Sequence, residues 1–89
     1  MNRPVPVPML EQIRGRLQAA LTPVVLEVVD EGDKHAGHAG AGQGHFHVRI
    51  ASARFAGLSP IKRHRLVYAA LDDLMQHGIH ALSIDAIDA

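Results

Sequence analysis

From Phe46 to Ala51 the chain alternates, with Phe46, Val48 and Ile50 apolar and His47, Arg49 and Ala51 polar or small between them. Successive side chains of a strand point to opposite faces, so this run predicts a strand with one dry face and one wet face. A sheet built from such strands is covered on one side only. The segments around it change period from two to three or four, which supplies the cover. Leu10, Ile13, Leu17 and Leu21 form one helical stripe opposite Glu11, Arg14 and Gln18, beginning at Met9 and ended by Pro23. Downstream, Ser59 is suited to cap a helix with Pro60 in its first position. Val67, Ala70, Leu71 and Leu74 are its buried stripe, and this reads as the longest helix of the chain. Gly78 suits the position just past a helix end.

Two further strands complete the pattern. Val24 to Asp30 is rich in β-branched residues, with Val24, Leu26 and Val28 on one face and Val25, Glu27 and Val29 on the other. The last strand sets His80, Leu82 and Ile84 on one face. Burial of Leu82 and Ile84 would then place His80 at the start of the core side. The order helix, strand, strand, helix, strand predicts a two-layer α+β sandwich, αββαβ, with both helices on one face of a three-stranded mixed sheet. Its first two strands form an antiparallel hairpin. No internal repeat and no second domain is visible. Pro4, Pro6 and Pro8 disfavour helix before them, so residues 1–7 read as a disordered lead-in and residues 8–89 as a single domain. Residues 31–44 hold five glycines, two histidines and no apolar periodicity. They read as a mobile connection, long for so small a domain.

Composition narrows the functions such a domain can serve. A chain of 89 residues buries only about 60 to 65% of its unfolded surface, which leaves little room for an enclosed catalytic pocket. Phe46, Phe55 and Tyr68 are the only aromatics, so the core is aliphatic. Nine basic and nine acidic side chains cancel with histidine neutral, and a molecule without net field is a poor general binder of nucleic acid unless it carries a local patch. No cysteine is present, which excludes disulfides, thiol nucleophiles and a thiolate metal site made by this chain alone. The prolines at the N-terminus interrupt any signal-like apolar core, and no segment has the roughly 20 apolar residues of a membrane span. The expectation is a soluble, cytoplasmic protein that does not engage membranes. No order of catalytic residues, phosphate loop or carboxylate pair marks an enzyme.

Seven histidines stand out in this inventory, because imidazole titrates near pH 6.5 and is a common metal ligand. His80, at a strand end, can be held in one orientation with a ring nitrogen open to a partner. His35 and His38 lie in the glycine-rich connection, where backbone freedom lets imidazole approach a second ligand. His35, His38, His45 and His47 together could hold nickel, copper or zinc loosely, although no finger-type spacing occurs. His45 and His47 share the wet face of their strand, where a surface role is the simpler one. Lys62, Arg63, His64 and Arg65 form the strongest basic run, and it opens a helix whose dipole is positive at that end. Asp72 and Asp73 lie nearer the negative end. A charge pattern set against the helix dipole at both ends points to use of the basic run by an acidic partner or by phosphate.

The pair His45-Phe46, the turn Phe55-Ala56-Gly57, the run Arg63-His64-Arg65 and the closing Ile79-His80-Ala81-Leu82 resemble the BolA family in order and spacing. The stretch Leu26 to Glu31, LEVVDE, is similar to that family's opening half, so the resemblance covers nearly the whole chain. It implies a fold related to class II KH domains, often with a short extra helix before the long one. It implies a non-enzymatic adaptor that binds a monothiol glutaredoxin and glutathione and co-ligates a bridging [2Fe-2S] cluster in cluster trafficking or iron regulation. His80 matches the family's C-terminal ligand, and His35, with His38 as the alternative, its loop ligand. Histidine can replace cysteine at one iron of such a cluster. A cysteine-free chain needs its partner and glutathione for the rest, so no cofactor is expected on the isolated chain, a monomer or weak homodimer. Lys62, Arg63, His64 and Arg65 would contact the partner or nucleic acid. The resemblance also implies an alternative, a KH-like DNA-binding transcriptional regulator of stress and morphology responses. The KH domain's GXXG loop between helices is missing, since Gly37 to Gly40 falls between two strands.

Overall fold

The computed structural model describes residues 7–32 and 44–89. The first helix, α1, spans Met9–Leu21 and starts on Pro8, whose carbonyl accepts the amides of Glu11 and Gln12 at 3.0 and 3.1 Å. Its buried residues are Ile13, Leu17 and Leu21 of the predicted stripe, while Leu10, the first of it, is only partly buried against the core. Thr22 ends it in the left-handed region, donating its amide to Gln18, and Pro23 cannot prolong the turn. Strand β1, Val25–Asp30, pairs antiparallel with β2, His45–Ser52, in a register that sets Val28 opposite Val48. Val24 stays outside the strand with its side chain exposed, although its amide bonds the Ala51 carbonyl.

Ser52 then turns the chain. Its hydroxyl donates to the Leu21 carbonyl at 2.7 Å and accepts the Arg54 amide at 3.1 Å, opening a three-residue 3-10 turn, Ala53–Phe55. Phe55 is fully buried there. The second helix, α2, covers Pro60–Leu71 with the Ser59 hydroxyl accepting the Lys62 amide at 3.3 Å. Its 12 residues make it one shorter than α1, not the longest helix, because Asp72 takes a positive φ of 47° and the chain continues as a 3-10 turn over Asp72–Met75. Leu74, expected on the helix, is buried from this turn. Arg16 of α1 reaches the same place: Nη1 lies 3.4 Å from the Leu71 carbonyl and 3.0 Å from Asp73. A cation there offsets the carboxylates at the negative helix end.

Strand β3, Ala81–Asp88, lies parallel to β2 with Phe46 opposite Leu82 and Val48 opposite Ile84, giving a mixed sheet ordered β1-β2-β3. The core joins Ile13, Leu17 and Leu21 of α1 with Val67 and Leu71 of α2, Phe46, Val48 and Ile50 of β2, and Phe55. Both helices therefore cover one sheet face, and burying each of these side chains contributes about 1.5 to 3 kcal/mol. The other face carries the cross-strand rows Val29–His47–Ser83, Glu27–Arg49–Asp85 and Val25–Ala51–Ile87. The α+β class and the three-stranded sheet with helices on one side are thus as the sequence predicts. Among the described residues no helix is long and apolar enough to cross a membrane.

Candidate functional site

The βαβ crossover decides where each candidate residue falls. Parallel strands must start at the same end of the sheet, so His80, just before β3, lies beside the entry to β2. Strand β1 runs the other way and leaves the sheet at that end too, where the Glu31 amide bonds the His45 carbonyl at 2.8 Å and Gly32 donates to the Asp30 carboxylate. The chain thus departs after Gly32 and returns at Gly44 beside His80. His35 and His38, and the Gly37 to Gly40 stretch, lie outside the described residues.

His80 differs from its sequence reading. It is exposed, and Ile79 is buried in its stead. The strand alternation does not extend back to residue 80, because the amides of His80 and Ala81 both donate to the Gly44 carbonyl, at 2.8 and 3.1 Å. That shared acceptor makes a bend at His80, and β3 starts in phase only at Ala81. Leu82 and Ile84 remain half-buried on the core side. The backbone under His80 is therefore fixed, while no described side chain hydrogen-bonds its ring. Among the described residues no three His, Asp or Glu side chains cluster closely enough to hold a metal ion. One accessible imidazole on a fixed backbone suits a single ligand of a shared metal group, and the remaining donors would come from elsewhere.

The basic run sits at the opposite end. Arg63 reaches across to β3: Nη1 donates to the Ala86 carbonyl at 3.3 Å, Nη2 contacts the Asp88 carboxylate at 2.6 Å, and Nε donates to the Leu58 carbonyl at 2.9 Å. Its guanidinium also lies 6.0 Å from the Phe55 ring centre, and the side chain is 15% exposed. Arg63 is an internal clamp, and its hydrogen-bonding edges already have partners. Lys62 and Arg65 are exposed and His64 half-buried. At 3.3 Å per residue, the six residues from His80 to Ala86 separate the two ends by roughly 20 Å. The structure does not bring the basic run and His80 together.

His47 and Ser83, paired across β2 and β3, share a hydrogen bond of 2.6 Å on the open face, which fits the surface role expected of His47. Two contributors escaped sequence reasoning. Gly44 was read only as part of a flexible connection, and its place beside a strand start was the available signal. Arg16 gave no local signal, since its partners at Leu71 and Asp73 are distant in sequence.

A helix-covered mixed sheet with an exposed histidine at the entry to its third strand defines a small α+β domain. Residues 17–88 match the family model described as BolA-like protein. BolA-like protein 1 of Mus musculus is 46% identical over 79 residues, which are 89% of this chain and 57% of that protein. The DNA-binding transcriptional regulator BolA of Escherichia coli is 42% identical over 74 residues, 83% of this chain and 70% of the relative. The solved structure of BolA1 from Arabidopsis thaliana superposes with a TM-score of 0.80 at 37% identity, covering 93% of this chain and 94% of that one. The chain belongs to the BolA-like family. It spans less than two thirds of the mouse relative's length.

Proposed function

We propose that this chain is a non-enzymatic adaptor that binds a monothiol glutaredoxin with its glutathione and shares a [2Fe-2S] cluster with it, in cluster trafficking or iron regulation. The observation that carries this reading is His80, exposed, fixed through its backbone to Gly44 and without a described ring partner. A neutral imidazole is an acceptable ligand at one iron of such a cluster, and thiolates, which this chain lacks, would come from the partner and glutathione. His80 would be one ligand and His35, or His38, the other. Arg63 is better assigned to the fold, which moves partner contact to the surface around His80.

Visible absorption and circular dichroism test this while the chain is titrated into cluster-loaded, glutathione-bound glutaredoxin. The expected result is a new spectrum that saturates at equimolar protein, disappears with His80→Ala and, between His35→Ala and His38→Ala, weakens with one. An unchanged wild-type spectrum refutes the reading.

The exposed Lys62 and Arg65 at the start of α2, together with the DNA-binding name of the Escherichia coli relative, support a second reading as a nucleic-acid-binding regulator. Its signature is duplex DNA binding that weakens steeply with salt and weakens further in the Lys62→Ala/Arg65→Ala variant. Binding insensitive to both would remove it.

A further inference from the structure

We infer that Gly44 is the positioning residue of His80, a close seat that an added side chain would disturb. This deepens the reading of His80 as a cluster ligand and rests on it. Gly44 has a φ of +74°, and its carbonyl holds the amides of both His80 and Ala81. A methyl group at Gly44 would lie 2.7 Å from the Gly78 carbonyl oxygen, 3.0 Å from the His80 nitrogen and 3.1 Å from His80 Cδ2. The first two neighbours are backbone atoms, which cannot swing aside as a side-chain end can. Behind Gly78, the Met9 methyl group occupies the space where a side chain would go. His80, Gly44 and Gly78 are therefore close neighbours, with Met9 at the start of α1 beside Gly78. A side chain at position 44 has to displace the Gly78 carbonyl and crowds the His80 amide and ring, which lie 3.0 and 3.1 Å away.

The fold contains its own control. Gly57 has a φ of +75°, yet a methyl group there would meet nothing within 4 Å. Gly44→Ala and Gly57→Ala both place a side chain at nearly the same positive φ, and only Gly44→Ala presses on His80.

Two measurements separate seating from general damage. In the isolated chain, NMR of wild type should give a contact between the His80 Hδ2 and Gly44 Hα protons and slow exchange of the His80 and Ala81 amides. Gly44→Ala should shift the His80 ring signals and lose that contact, whereas Gly57→Ala should keep both. In the titration with cluster-loaded glutaredoxin, Gly44→Ala should weaken apparent affinity about 10- to 100-fold, the usual loss when the support of a metal ligand is removed. Gly57→Ala should stay near wild type, and Gly44→Ala should add nothing in a His80→Ala background.

Equal ring shifts in the two glycine variants overturn the inference. If wild type takes the cluster and Gly44→Ala loses no more than Gly57→Ala, the inference also fails while the adaptor reading stands. If wild type takes no cluster but Gly44→Ala alone moves the ring, the adaptor reading fails and the seating of His80 stands. Should Gly44→Ala not fold, the wild-type contact and amide protection decide, and their absence refutes the seat.

Discussion

Replacing Arg63 by alanine should destabilise the domain by about 2 to 4 kcal/mol, far more than removal of Lys62 or Arg65. The magnitude follows from what the guanidinium holds. Two bonds go to the carbonyls of Leu58 and Ala86, tying the start of α2 to the turn before it and to the end of β3. Each bond from a charged donor is worth about 1.5 to 3 kcal/mol at most, and the 3.3 Å bond to Ala86 belongs below that range. The contact with Asp88 adds little, because that carboxylate is 72% exposed and exposed pairs contribute about 0 to 1 kcal/mol. The place of the guanidinium over the Phe55 ring supplies the remainder. Urea unfolding reads the effect as a lower midpoint at constant slope. A domain of this size loses about 4 to 8 °C of Tm per kcal/mol. Arg63→Lys should recover only part of the loss, since one ammonium cannot span three acceptors in different directions. Asp88→Asn should cost less than about 1 kcal/mol. If Arg63→Ala costs no more than Lys62→Ala and instead weakens partner binding, Arg63 is a surface contact and the clamp is refuted.

Ser52→Ala should cost about 1 to 3 kcal/mol in the same assay, because it strands the Leu21 carbonyl and removes the acceptor of the Arg54 amide in a buried place. Phe55→Ala, which empties a fully buried ring position, should cost about 3 to 5 kcal/mol and leave the protein marginal at room temperature. Arg16→Ala should cost about 1 kcal/mol or less, since its pair with Asp73 is largely solvated, and the loss should shrink in high salt.

The parts of this fold legible in the sequence are those whose physics is local. Ile13, Leu17 and Leu21 repeat with the helix, Phe46, Val48 and Ile50 with the strand, and Ser59-Pro60 carries its own start signal. The misread parts depend on distant groups. His80 was placed on the core side by extending the alternation of β3 one residue too far, and the carbonyl that breaks the alternation belongs to Gly44, at the far side of the crossover. Arg63 reads in the sequence only as part of the basic run, because its acceptors, Leu58, Ala86 and Asp88, cannot be paired with it from spacing. The helix that was expected to run through Leu74 stops at Leu71, and Arg16, which stands at that break, comes from another helix.

The same crossover explains why His80 and the basic run are separate features. A β-α-β connection returns its helix antiparallel to the strands, so the start of α2 must sit where β2 ends, and the start of β3 where α2 ends. Arg63 bonded to Ala86 and Asp88 marks one end, and His80 bonded to Gly44 marks the other. Sequence proximity, with Arg65 and His80 only one helix apart, gives the opposite impression. A cluster-bearing partner seated on His80 and a polyanion seated on Lys62 and Arg65 would approach opposite ends of the sheet. Neither surface needs the other in order to form. The most direct physical link between them is β3, which starts beside His80 and is tied at its far end to the first turn of α2 by Arg63.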